Sequence, residues 1–159
     1  MIRRWPYDYV DVVYNVEVGG DLTVKGTLTA SDVSYKTPLV SASVSPTVGT
    51  GGSAGAASTV LAPTSGHVGV VPLGGSVVFG GTFASGETVT VTITATFSDN
   101  TTASITKSAT ATGTVELTTA DLFGIVKNGT YITKVEATAA SSASSTSATV
   151  TVSMWGIQQ

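Results

Sequence analysis

Between Glu87 and Phe97 the chain reads "ETVTVTITATF", a strict alternation of threonine with apolar residues. In an extended strand successive side chains point to opposite faces. Val89, Val91, Ile93, Ala95 and Phe97 therefore share one face, and the threonines share the other. Such a half-apolar strand needs a second layer to cover it. Ser98-Asp99-Asn100 supplies a turn, and "TTASITKSATA" returns with Ala103 and Ile105 on one side, which predicts a hairpin.

The same character recurs in "PLVSASV" (Pro38 to Val44), "HVGVVPL" (His67 to Leu73), "SVVFGGTF" (Ser76 to Phe83), "GTVEL" (Gly113 to Leu117), "YITKVEATA" (Tyr131 to Ala139) and "TSATVTVSMW" (Thr146 to Trp155). Each run is short, β-branched or aromatic, and bounded by Gly, Pro, Ser or Asn. The expected fold is all-β: about eight strands after residue 36 in an antiparallel β-sandwich of two sheets, with a jelly roll as the topology. Phe79, Phe83 and Phe97 fall on its core faces, and Tyr131 and Trp155 at strand ends. One short helix is expected from about Thr119 to Lys127. Thr118 is its N-cap, Asp121 follows three residues later, Leu122, Ile125 and Val126 stand at helical spacing, and Gly129 is the stop. "VGTGGSAGAAS" (Val48 to Ser58) reads as a flexible loop, or as a place where another chain approaches closely.

Composition narrows the function. With no cysteine there are no disulfides or thiolate metal sites, so stability comes from packing or association. A net charge of -3 gives no basic footprint, and no nucleic-acid partner is expected. No apolar run approaches the roughly 18 residues of a membrane span, so the chain reads as soluble with no membrane partner. The first residues lack the unbroken apolar stretch of a signal peptide, and nothing in the chain as written directs export.

Catalysis has little to work with. The single histidine, His67, begins a strand. Ser65 and distant carboxylates could complete a triad with it, but no nucleophile-elbow motif surrounds any serine, so His67 reads as structural or exposed. The ten acids are scattered singly, mostly beside threonine on outward faces or in turns, and read as solvated surface. No calcium loop, phosphate-cradling glycine motif or other cofactor signature occurs. No enzyme, metal or cofactor is expected. The sequons at Asn100 and Asn128 read as chance matches.

From Thr37 to Gly86 fifty consecutive residues contain no Asp, Glu, Lys or Arg. They form either a hydroxyl-rich loop region meeting water or a surface lying against other subunits, since interface cores are depleted in charge. The second reading predicts an obligate oligomer. A poverty of Asn, Gln and Met with no Cys further hints at a heat-stable protein.

The N-terminal end is different in kind. Trp5, Tyr7, Tyr9 and Tyr14 are four of the eleven aromatic residues, and Arg3 and Arg4 stand beside them. These are the residue types of interface anchors, with arginines that can pair with carboxylates on a partner. "YVDVVYNVEV" can add as an edge strand to a neighbour's sheet. Behind it, "GGDLTVKGTLTA" carries Gly20, Leu22, Val24, Gly26 and Leu28 in the pattern Gly-x-Leu-x-Val-x-Gly-x-Leu. That segment resembles the short β-segments of tailed-phage fibres and related trimeric virion proteins, and the remainder looks like small β-sandwich decoration, turret or spike proteins of viruses.

The resemblance implies a homotrimer in which Leu22, Val24, Gly26 and Leu28 mediate oligomerisation. It also implies a virion location after synthesis in the host cytoplasm, and a major capsid or tail protein bound through the arm. The expected organisation is residues 1–36 as arm and β-segment, and 37–159 as the sandwich. The chain is too short for a long fibre, which favours a capsid decoration or cementing protein. A receptor-binding tail-fibre or spike module, with a host-surface glycan as partner, is the first alternative. An extracellular adhesin or filament subunit is the second, though it would require an export signal.

Overall fold

The structure, a computed structural model, describes residues 39–159. The chain forms β1 (Leu39–Val44), β2 (Val48–Gly49), β3 (Ser58–Leu61), β4 (Val70–Thr82), β5 (Val89–Phe97), β6 (Thr102–Ala109), β7 (Gly113–Glu116), α1 (Thr119–Gly124), β8 (Ile132–Ser141) and β9 (Ser147–Gln158). One antiparallel sheet runs β1-β9-β4-β7 and the other β3-β8-β5-β6, with β2 lying parallel beside the end of β8. A single pair, Val70 with Ile132, joins them at one corner. The two four-stranded orders, with the chain crossing repeatedly between sheets, are those of a jelly roll.

The alternating segment behaves as its pattern demands. Val89, Val91, Ile93, Ala95 and Phe97 are all buried, the threonines between them are half-exposed, and β5 pairs with β6 from Val89–Ala109 to Thr96–Thr102. The facing sheet contributes Val77, Phe79, Val150, Val152 and Met154 to the same core. Burial of each large apolar side chain favours folding by about 1.5–3 kcal/mol. Tertiary packing, more than strand propensity, thus sets which face turns inward.

β6 is an edge strand, and its inward row holds Lys107 beside the half-buried Ala103 and Ile105. Lys107 reaches Asp121 of α1 at 2.7 Å, so the helix closes the open flank between β6 and the other sheet. An inward-pointing charge also discourages another strand from adding there.

Several expectations need correction. The runs His67–Leu73 and Ser76–Phe83 are not two strands, because β4 continues through Gly74 and Gly75 to form one 13-residue strand. Those glycines mark close approach and not a turn: a Cβ on Gly74 would overlap the indole of Trp155, and one on Gly75 would crowd Ser153, Leu117 and Met154. A bulge between Pro72 and Gly74 accommodates the proline. β3 escapes the alternation rule because its register shifts between Thr59 and Leu61, leaving the adjacent Val60 and Leu61 both buried.

The glycine-rich stretch is pinned. Gly51 N–H donates to Ala143 O, Gly52 N–H to Ser141 O and Gly55 N–H to Ala139 O. Gly49 and Gly55 approach neighbouring backbone too closely for any side chain.

The helix begins as expected, with a full capping box. Asp121 N–H donates to Thr118 Oγ1, and Thr118 N–H donates to Asp121 Oδ2. It ends at Gly124 and not at Lys127, capped by Ile125, which is fully buried. Gly lowers helix stability, and burying Ile125 directs the chain back toward the core. Trp155 does not end a strand either, since β9 runs on to Gln158.

Glu87 is buried, contrary to the surface reading of the acids. Ser141 and Thr146 donate their hydroxyls to Oε1, and Ala84 N–H donates to Oε2. This set of donors compensates the desolvated charge.

Candidate functional site

β4 is far longer than its neighbour β7, which covers only Ser76 to Phe79. Past Glu116 the chain leaves the sheet, with Leu117 N–H donating to Gly75 O, and enters α1. The first half of β4 therefore faces a short helix in place of a strand. Between them lies an apolar depression of about 290 Å³, lined by Val71, Pro72, Leu73, Thr119, Leu122, Phe123 and Val126. A second depression of about 220 Å³ adjoins it, sharing Val71 and Val126 and reaching Tyr131 and Gln159.

Large apolar side chains are exposed around both. Phe123 is 72 % exposed, Val68 59 % and Leu73 51 %, with Val126, Tyr131 and Trp155 close behind. Tyr131 packs against Gly69, next to Val68, and the indole of Trp155 lies over Gly74, next to Leu73. Six of the seven exposed large hydrophobics among the described residues thus gather at one end of the sandwich; Val78 is the exception. A contiguous apolar patch on a folded domain marks an interaction surface.

The charges bordering this end are satisfied internally. Lys127 Nζ lies 2.5 Å from Asp99 Oδ2, and Thr101 donates to Asp99 through both its hydroxyl and its amide. Those donors hold the Asp99 carboxyl well below the usual carboxylate range. Lys127 also sits 5.9 Å from the centre of the Phe97 ring. Asp121 is lowered by Lys107 first and by the Thr118 hydroxyl next. These carboxylates are ionised and paired at neutral pH.

The opposite end offers a larger hollow, about 430 Å³, lined by Thr88, Thr90, Thr92, Thr138, Ser141, Ser142, Ala140, Gly52 and Ala54. It has hydroxyls but no titrating group in its wall. His67 Nδ1 has Thr64 Oγ1 at 3.5 Å, and none of the ion pairs among the described residues involves it. No cluster of three or more His, Cys, Asp or Glu occurs among the described residues.

The arm residues Arg3, Arg4, Trp5, Tyr7, Tyr9 and Tyr14, and the segment residues Leu22, Val24, Gly26 and Leu28, lie outside the described residues. The apolar end was not visible as a site in the sequence. Val126, at helical spacing with Leu122 and Ile125 in the expected helix, lies beyond the helix end and is exposed. The usable signal was the uncharged stretch, which contributes Val68, Val71, Pro72 and Leu73.

No protein-family model matches the chain, and no curated protein sequence matches it. Among solved structures it is similar to a chain titled Desmodium yellow mottle tymovirus, with a TM-score of 0.38 and 14 % identity, covering 86 % of this chain and 96 % of that one.

Proposed function

We propose that the protein is a non-enzymatic virion structural component, a homotrimeric decoration, cementing or surface-projecting subunit held to a capsid or tail through its N-terminal arm. The observation that carries the reading is a jelly-roll sandwich whose exposed apolar side chains gather at one end, around which the bordering charges are already paired. Jelly rolls serve in viral shells, in lectins and in cupins, so fold alone does not choose. The surface that the described residues assemble at the apolar end is suited to protein contact.

In this role association stabilises the fold by mass action, and each arm bridging to a neighbour adds its burial to the particle. The arm residues Trp5, Tyr7, Tyr9 and Tyr14 supply anchoring area, and Arg3 and Arg4 pair with carboxylates of the shell.

A receptor-binding tip is the second reading. It is favoured by Trp155, half-exposed on a sheet face where Ser41 stands beside it and the next pairs inward, Ser43–Ser153 and Ser76–Ser153, carry hydroxyls. Glycan binding by the isolated protein, lost in Trp155→Ala, would select it.

Co-sedimentation with purified particles tests the main reading. The full chain is expected to bind, and a chain lacking residues 1–18 is expected to remain folded but unbound. Trp5→Ala with Tyr9→Ala should weaken attachment by about 2 kcal/mol or more. Absence of the protein from particles would sink the proposal.

A further inference from the structure

We infer that the apolar end is where a second copy of this chain docks, so that sandwiches of the oligomer proposed above meet through Leu73, Phe123, Val126, Tyr131 and Trp155. The inference deepens that reading and depends on its oligomer. Three observations single out a second copy as the occupant.

The first is charge. Lys127 is paired with Asp99, and Lys107 with Asp121, within the domain. The first depression is lined by apolar residues and a threonine, and the only ionisable side chain besides Tyr131 in the wall of the second is Lys127, already paired with Asp99. A chain of net charge -3 repels itself elsewhere, but two such ends can face one another without opposing like charges.

The second is where the chain enters. Leu39 lies opposite Ile157, and Ile157 lies opposite Val71, a wall residue of the depression. The 38 residues before Leu39 therefore join the domain at this end. Leu22 to Leu28, the segment expected to oligomerise, precedes Leu39 by a stretch able to span at most about 40 Å. If that segment gathers copies, a connection of limited reach raises the effective concentration of one domain for the next.

The third is relief. Phe123, the most exposed large apolar side chain among the described residues, stands at the rim of a depression walled by Val71, Pro72, Leu73 and Leu122. Projection beside a hollow lets neighbouring copies interlock, and an aromatic anchor in an apolar pocket is the usual energetic centre of an interface.

The test uses the full chain with Leu73→Asp, Phe123→Asp and Val126→Asp combined. All three positions are exposed, so the core is untouched. Val78→Asp, exposed farther along β4, is the control. Circular dichroism and urea unfolding confirm that each variant is folded, and sedimentation equilibrium measures association. The triple variant is expected to weaken self-association by about a hundredfold or more, with the control unchanged.

Wild-type association in the triple variant overturns the inference. So does a monomeric wild type, and two further measurements then identify the occupant. If residues 1–38 become protease-sensitive only in the triple variant, the chain's own N-terminal segment covers the patch. If a monomer binds purified particles and the triple variant does not, a shell protein covers it. In that last case the virion reading survives while this inference fails.

Discussion

Replacing Gly74 by alanine puts the packing of Trp155 to a direct test. The indole is 46 % exposed, so about half of it, on the order of 100 Å², lies against the sheet. At ~25 cal/mol per Å² that contact favours the folded state by about 2.5 kcal/mol at most. A Cβ on Gly74 would overlap ring atoms Cζ2 and Cε2 and lie 2.8 Å from Nε1, so the ring must move by about 1 Å or leave the sheet. Partial loss of the contact costs about 1–2 kcal/mol, offset by ~0.4–1 kcal/mol from the less flexible unfolded chain. The expected result is a net destabilisation of about 1 kcal/mol, read from urea unfolding. In a Trp5→Phe background the remaining indole should report it as a red-shifted emission. Gly113→Ala, where a Cβ meets nothing within 4 Å, is the matched control and should be neutral or slightly stabilising. A Gly74→Ala protein as stable as its parent, with unchanged emission, would refute the idea that close approach explains this glycine.

Glu87 has a lowered pKa in the folded protein, from Ser141 first, then Thr146 and the Ala84 amide, against the opposing effect of burial. Its stabilisation is therefore complete above the unfolded-state value near ~4.3 and lost as pH falls through the folded one. Urea midpoints measured from neutral pH down to about pH 3 should fall less steeply in Glu87→Gln than in wild type, with Asp99 and Asp121 supplying the residual slope. Thr118→Ala removes the cap from Asp121 N–H and should cost about 1 kcal/mol, while Thr118→Ser retains it. In the glycine-rich stretch, Gly55→Ala forces a Cβ into Thr47 O and should cost about 2–3 kcal/mol. Gly51→Ala has open space and only its φ of +61° to overcome, about 1–2 kcal/mol, and equal losses at the two sites would argue against the pinned loop. The scarcity of thermolabile residues leads to a melting temperature above roughly 65 °C, and one of about 45–65 °C would dispose of it.

Periodicity made the hairpin of β5 and β6 legible from the residues alone, because side-chain alternation follows from the geometry of a single extended strand. The capping box at Thr118 and Asp121 was equally local, spanning three residues. What depended on non-local neighbours could not be read. Gly74 and Gly75 look like a turn until Trp155 and Met154, some eighty residues away, are placed across from them. Glu87 looks like a surface acid until β8 and β9 bring Ser141 and Thr146 to its carboxylate. The apolar end is the extreme case. Val68, Leu73, Phe123, Val126, Tyr131 and Trp155 come from β4, α1, β9 and the segments before β4 and β8, and none stands out within its own segment. Composition could say that a fifty-residue stretch carries no charge, and alternation could say which faces are apolar. Only the strand order of the jelly roll decides which exposed side chains become neighbours, because that order is set by how the two sheets bury their shared core and by no property of any one strand.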